Sequence, residues 1–448
     1  MTSDSTMMAG VARTVITPPK GIYLIGYGDR TKDNTGVHDE LTATALALDD
    51  GMTRIGIVAI DILTINEFIV DRIRDSLAPI EVVLCCSHTH SGPIAYADEK
   101  SPRKNQDYID SLVDRVVEAV EQAESNLSPA RLEYSLGEAS VGINRREKMP
   151  DGSIDIGRNP DGPRDGSVQV ISILSTENTD SQPAKRLATI VNYACHGTVL
   201  GPDNLLVSAD WIGAMRQKVE AELGGLSLFL QGATADINPD MYWEDSHAFE
   251  MVEEQGWQVA EAVSAAVHSE SHKLIDTPLR IERTEIWLPT ESKVTSDLPP
   301  QNYRKALLSK ANMPSFMSMF TDRMLDKLYP WKSIIEDKGG FWSVPMRINL
   351  LRIGDLAIVT FAAETFTKIG MKVKAASPAA YTLFASISDG CISYLPTAES
   401  HHQGGYEVEI APLAYRYPGK LQASCENLAL ETTAEQMERL WHSEPRQG

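Results

Sequence analysis

The chain is 448 residues long, 42% hydrophobic and 23% charged, with a formal net charge of −21. A chain of this length and composition buries one large core or two smaller ones without help from disulfides. So acidic a surface repels nucleic acid and anionic membranes, which excludes both as main partners and leaves solubility as its simplest role.

The first clear elements form a hairpin. Residues 41–48 alternate as a strand, Asp49-Asp50-Gly51 supplies a turn, and residues 55–60 form a second strand that ends at Asp61. Residues 82–86 read as a short buried strand. From Asp107 onward, Ile109, Leu112, Val113, Val116, Val117 and Val120 recur at helical spacing, so one helix face packs on a sheet. Further strands are expected at 168–174, 188–193, 226–230, 356–361 and 382–387, with helices after Asp210, over 250–267 and after Glu364. The alternation predicts an α/β fold with a mixed central sheet flanked by helices, and no composition break marks a second domain. Two stretches interrupt the pattern. Residues 144–166, dense in Gly, Pro, Asp and Arg, predict a long loop, and residues 288–342, rich in Met, Lys and aromatics, predict a helical insertion that caps a pocket.

The five cysteines, Cys85, Cys86, Cys195, Cys391 and Cys425, include no C-x-x-C pair, so neither a disulfide framework nor a zinc ribbon is indicated. A reducing compartment fits this usage. The first 13 residues lack a basic patch followed by an apolar run, and no segment reaches the roughly 18 uninterrupted apolar residues of a membrane span. Cytoplasmic residence without stable membrane insertion is the resulting expectation.

Candidate chemistry lies where strands end. Ser87-His88-Thr89-His90-Ser91-Gly92-Pro93 follows the strand at 82–86 directly. In an extended His-x-His both rings point the same way, so both can approach one metal, or one can bind it while the other faces substrate. His196, in Asn192-Tyr193-Ala194-Cys195-His196-Gly197, again lies just past a strand. Zinc hydrolases gather ligands from separate strand ends and leave one coordination position for water, which raises the significance of two such histidine sites. Glu364 has the same placement after the apolar run at 356–361, where a helix-start carboxylate is the plainer explanation. Tyr394 and Tyr406 flank a polar loop at 395–405, and by themselves read as core or rim residues.

Taken in order, these segments resemble the neutral ceramidase family. The resemblance begins with Val11-Ala12-Arg13 through Ile16-Thr17-Pro18, Gly26-Tyr27-Gly28 and Gly36-Val37-His38-Asp39. It continues through Ser87 to Pro93, Asn144-Arg145, His196 with Ser208-Ala209-Asp210, Gly232 to Pro239, Glu364, and Tyr394 to Tyr406-Glu407, covering about residues 10–410. It implies a single catalytic domain over 1–448 that binds one zinc through His88, His196, Glu364 and Tyr394 and cleaves an amide. His90 would transfer the proton, while Arg145 and Tyr406 would face the substrate carbonyl, where negative charge develops. Asn238 stands where the family carries a serine, so it is expected to contact substrate differently. With no C-terminal immunoglobulin-like domain or secretion signal expected either, a small or water-soluble N-acyl amide is the anticipated substrate rather than ceramide. Ester or lactone cleavage by the same site, and a non-catalytic zinc-binding protein of the same fold, stand as alternatives.

Overall fold

The computed structural model describes residues 7–28, 30–93, 95–96, 103–177, 184–240, 248–269, 271–275, 277–295, 334–415 and 417–442. Two mixed sheets are stacked in it. The larger runs in the order Leu226–Gln231, Arg186–Tyr193, Ser167–Ser175, Ser128–Glu138, Met8–Val15, Thr42–Asp49, Arg54–Ile60, Glu81–Cys86, with His272–Lys273 pairing off this path. The smaller runs Leu279–Lys293, Phe341–Ile353, Leu356–Phe361, Tyr381–Ala385. The expected α/β class with mixed pairing and flanking helices holds, and the structure adds the second sheet.

Side-chain size explains the layering. In the strand Thr42–Asp49, Ala43, Ala45 and Ala47 face outward onto the helices Glu67–Leu77 and Arg103–Ser125, where small residues let the helices come close. Leu46 and Leu48 face inward instead, into a core shared with Leu351, Ile353, Leu356, Ile358 and Leu383 of the smaller sheet. The helices Asp210–Leu223 and Ala248–Ser269 cover the outer face of the other half of the large sheet through Val170, Val191 and Phe229. Thr367–Ala376 and Cys425–His442 cover the outer face of the smaller sheet around Ile348, Val359 and Phe361. Helices thus close both outer faces of the stack, as sheets apolar on both sides require. Among the described residues no helix is long and apolar enough to cross a membrane.

Three parallel strand pairs bear on the site: Arg54–Ile60 with Glu81–Cys86, Arg186–Tyr193 with Leu226–Gln231, and Leu356–Phe361 with Tyr381–Ala385. Each delivers its chain to a loop at the carboxyl end, where α/β folds collect functional groups.

Three expectations need correction. The predicted loop at 144–166 contains two antiparallel strands, Gly142–Lys148 and Ile154–Asn159, the first of them paired also to Ile237–Pro239. Apolar periodicity missed them because, beside Gly142 and Ile143, their buried residues are Asn144, Arg145 and Arg146, held by hydrogen bonds and ion pairs. The predicted helical insertion at 288–342 opens and closes with strand, since Leu279–Lys293 runs through its start and Phe341–Ile353 begins within its end. Residues 296–333 of that stretch lie outside the described residues. The polar segment at 395–405 holds a short helix, Ala398–Gln403, whose first turn is capped by the Thr397 hydroxyl accepting from the Ser400 amide at 3.2 Å.

Candidate active site

The strand Glu81–Cys86 continues into its loop by borrowing partners from neighbours: the amides of Ser87 and His88 donate to the carbonyls of Ile60 and Ile62. His88 then adopts φ 63°, so the His88-Thr89-His90 segment is not extended as its spacing suggested. The rings converge through this left-handed kink, a conformation that costs on the order of 1 kcal/mol for a non-glycine residue and is held by its surroundings. Thr89 bridges to Gly197, and the His90 amide donates to the Gly197 carbonyl at 3.0 Å. A Cβ at Gly197 would stand 3.1 Å from Thr89 Cα, so glycine lets the two histidine loops touch. Gln231 ties the same loops together, its Nε2 donating to the carbonyls of Ser87 (3.2 Å) and Cys195 (2.9 Å).

His88 and His196 are held alike. Each has Nδ1 2.9 Å from a main-chain carbonyl, Leu63 for His88 and Ile237 for His196. Each Nδ1 therefore carries the proton, and each Nε2 presents a lone pair to the interior. Both lone pairs aim at one atom: Glu364 Oε2 lies 3.4 Å from His88 Nε2 and 3.4 Å from His196 Nε2. That oxygen is buried and has no hydrogen-bond donor. Three acceptors facing one another repel unless a cation or proton lies between them, so this donor set fits a bound metal. Tyr394 pairs with Glu364 across a two-residue parallel ladder, and its hydroxyl interacts with Glu364.

His90 Nε2 is 3.4 Å from His88 Nε2, and the ligating atoms of His88, His90 and His196 lie within 4.8 Å of one another. His90 differs in its other nitrogen, since Nδ1 is buried and makes no hydrogen bond. Burial, reinforced by the neighbouring His88 and His196, holds its pKa well below the usual histidine value, which keeps the ring neutral near pH 7. Burial and the Arg145 charge likewise push His196 down to about 4, as a neutral ligand requires.

Arg145 comes from a strand, not from the exposed loop the sequence indicated, and its side chain is buried. Nε donates to Glu407 Oε1 at 2.9 Å and Nη1 to Asn238 Oδ1 at 3.2 Å, while Nη1 also approaches His196 Nε2 at 3.4 Å. The guanidinium stands 5.5 Å from the Tyr394 ring and 6.0 Å from the Tyr406 ring. Burial, followed by the charge of Glu364, raises the Tyr406 phenol above its ordinary pKa, so it keeps its proton and can donate. All eight residues singled out in the sequence thus lie in one connected cluster: His88, His90, His196, Glu364, Tyr394, Arg145, Tyr406 and Asn238. The sequence reading missed Gln231 and Arg146, and it gave no role to Glu407, which stands in the quoted tyrosine motif. The doublet Arg145-Arg146 followed far along the chain by a carboxylate beside a motif tyrosine was the available signal, and it is weak without a structure.

The comparisons with known proteins bear on this cluster. The N-terminal region that defines neutral/alkaline non-lysosomal ceramidases matches residues 7–233. The chain is 22% identical to a neutral ceramidase of Pseudomonas aeruginosa over 449 aligned positions, covering 86% of this chain and 66% of that one. It is 23% identical to a neutral ceramidase of Mycobacterium tuberculosis over 246 positions, 49% of this chain and 38% of that one. The crystal structure of the Pseudomonas aeruginosa enzyme superposes with a TM-score of 0.73 over 98% of this chain and 75% of that one, at 18% identity. A ceramidase complexed with C2 superposes equally well, at 17% identity. At such identity the structural likeness is one of fold.

Proposed function

This chain belongs to the neutral/alkaline non-lysosomal ceramidase family, and from that membership and the geometry of its site we propose that it is a zinc-dependent hydrolase of amide bonds. One observation carries the metal: the unpartnered Glu364 Oε2 faces the lone pairs of both His88 and His196. In this reading His88, His196, Glu364 and Tyr394 hold one zinc. When bound, the metal supplies Lewis acidity that polarises a carbonyl and makes water nucleophilic near neutral pH.

The remaining steps belong to the chain's own residues. His90, neutral and beside the ligand set, takes a proton at Nε2 and returns it to the departing nitrogen. Its unbonded Nδ1 supports this role, because ligand histidines are fixed through their second nitrogen and His90 is not. Arg145 and Tyr406 offer donors to the oxygen on which charge develops, in a buried setting that strengthens each contact. Asn238, its Oδ1 engaged by Arg145, has Nδ2 left for a polar group of the substrate.

The substrate we propose is a small or water-soluble N-acyl amide. Two relatives are named for ceramide, so the test sets long-chain ceramide against short N-acyl amides, with matched esters and lactones, on the zinc-loaded chain. Higher kcat/KM on a short amide is the expected result. Efficient ceramide cleavage that is lost in Asn238→Ala would reverse the substrate assignment, and cleavage confined to esters or lactones would reverse the bond class.

A further inference from the structure

Arg145 and Arg146 are sequence neighbours on one strand, and alternation would send their side chains to opposite faces. The pairing of Gly142–Lys148 with Ile154–Asn159 shifts register between Asn144 and Arg146, and at this irregularity both guanidinium groups reach one carboxylate. Glu407 takes Arg145 Nε on Oε1 at 2.9 Å and Arg146 Nη1 on Oε2 at 2.6 Å, with all three side chains buried. Glu407 is the second residue of the π-helical turn Tyr406–Ile410, a type of turn common at functional sites. The turn is joined to the arginines a second time, because Arg146 Nη2 donates to the Gly404 carbonyl at 2.8 Å. Gly405, at φ 94°, allows the close contact, since a Cβ there would lie 3.1 Å from Arg146 Nη1.

We propose that Glu407 is the positioning residue of this site: one carboxylate fixes the orientation of Arg145 and, through Arg146 and the Gly404-Gly405 turn, the placement of Tyr406. The inference rests on the hydrolase reading, because it supposes that both donors serve one reacting oxygen. Charge supports it. Two buried arginines share one anion, so the trio keeps a net positive charge on the side where His196 and Asn238 meet Arg145. The hydrogen bonds from Nε to Glu407 and from Nη1 to Asn238 also restrict rotation of the guanidinium, which matters because small misplacements of a charged donor cost rate steeply.

The test uses the zinc-loaded full chain with Glu407→Gln, Arg145→Ala and the double variant, and Glu407→Asp in case the amide does not fold. Zinc content, kcat and KM on the best amide of the wild type, and the Kd of acetohydroxamate as an oxygen-donor probe are measured for each. Glu407→Gln is expected to keep its zinc and lose roughly 10- to 100-fold in kcat, with KM changed less than about threefold. Added to Arg145→Ala, it should change kcat and the acetohydroxamate Kd clearly less than it does alone, what remains being the share that passes through Arg146 to Tyr406, because residues acting through one another are not additive. Effects that multiply in the double variant, wild-type turnover in Glu407→Gln, or loss of zinc from it would overturn the assignment. A wild type that cleaves no amide would sink the hydrolase reading separately, and the acetohydroxamate cycle would still decide whether Glu407 acts through Arg145.

Discussion

Glu364 and Tyr394 are register partners across a two-residue parallel ladder, and the Glu364 amide donates to the carbonyl of Ser393, the residue before Tyr394, at 2.9 Å. Carboxylate and phenol therefore approach the two histidines as one rigid unit. Rigid ligand pairs on strand ends hold a metal position more sharply than loops do. In the proposed zinc site they would also leave a buried carboxylate unsatisfied once the cation is withdrawn.

Chelation should therefore destabilise as well as inactivate. At a free zinc concentration about a thousandfold above Kd, binding stabilises the fold by about 4 kcal/mol. A chelator is expected to lower Tm and abolish turnover, and added zinc to restore both. Elemental analysis should find one zinc per chain, with His88→Ala and His196→Ala sharply depleted. Full zinc content in either variant would remove that histidine from the ligand set.

His90→Ala separates ligand from proton carrier. The variant is expected to retain zinc while turnover falls by about 10²-fold or more. Parallel loss of zinc and activity would make His90 a ligand, and the proton-transfer role would pass to another group.

Tyr406→Phe removes only a hydroxyl, so zinc content and Tm should stay near wild type while kcat falls about 10²-fold, the cost of roughly 3 kcal/mol for an oxyanion donor. Arg145→Ala should lose rate comparably but also stability. Its removal leaves Glu407 short of one partner, and breaking a buried ion pair costs about 3–5 kcal/mol. Wild-type rates in both variants would leave the metal alone to polarise the carbonyl.

Gln231→Leu strips the carbonyls of Ser87 and Cys195 of a shared donor. Each buried unsatisfied group costs on the order of 1–3 kcal/mol. Because those carbonyls lie next to the two histidine segments, the variant is expected to melt lower and to bind zinc about 10-fold or more weakly in a chelator competition. Unchanged zinc affinity with a lowered Tm would confine Gln231 to packing.

The candidate histidines and Glu364 were legible from the sequence, because their segments follow apolar runs that mark strand ends. The runs before Ser87, His196 and Glu364 are buried on both faces, and such runs are hard to mistake. The strands holding Arg145 and Asn238 were illegible for the opposite reason. Their burial is bought by hydrogen bonds and ion pairs to residues more than 90 positions away, and no local pattern records a distant partner.

By itself the sequence determined the hairpin at 41–60, the helix that follows the first histidine segment, and the presence of three strand-end segments bearing His88, His196 and Glu364, since hydrophobic period and breaker residues are local properties. Only the tertiary structure decided that two sheets stack, that His88 turns through a left-handed conformation, and that Glu364 Oε2 meets both Nε2 atoms at 3.4 Å. It alone decided that Arg145 and Arg146 share Glu407. Such convergence depends on inter-strand register and on a bulge, which are set by packing between segments far apart in the chain, and a one-residue slip in either would turn the same side chains to the other face.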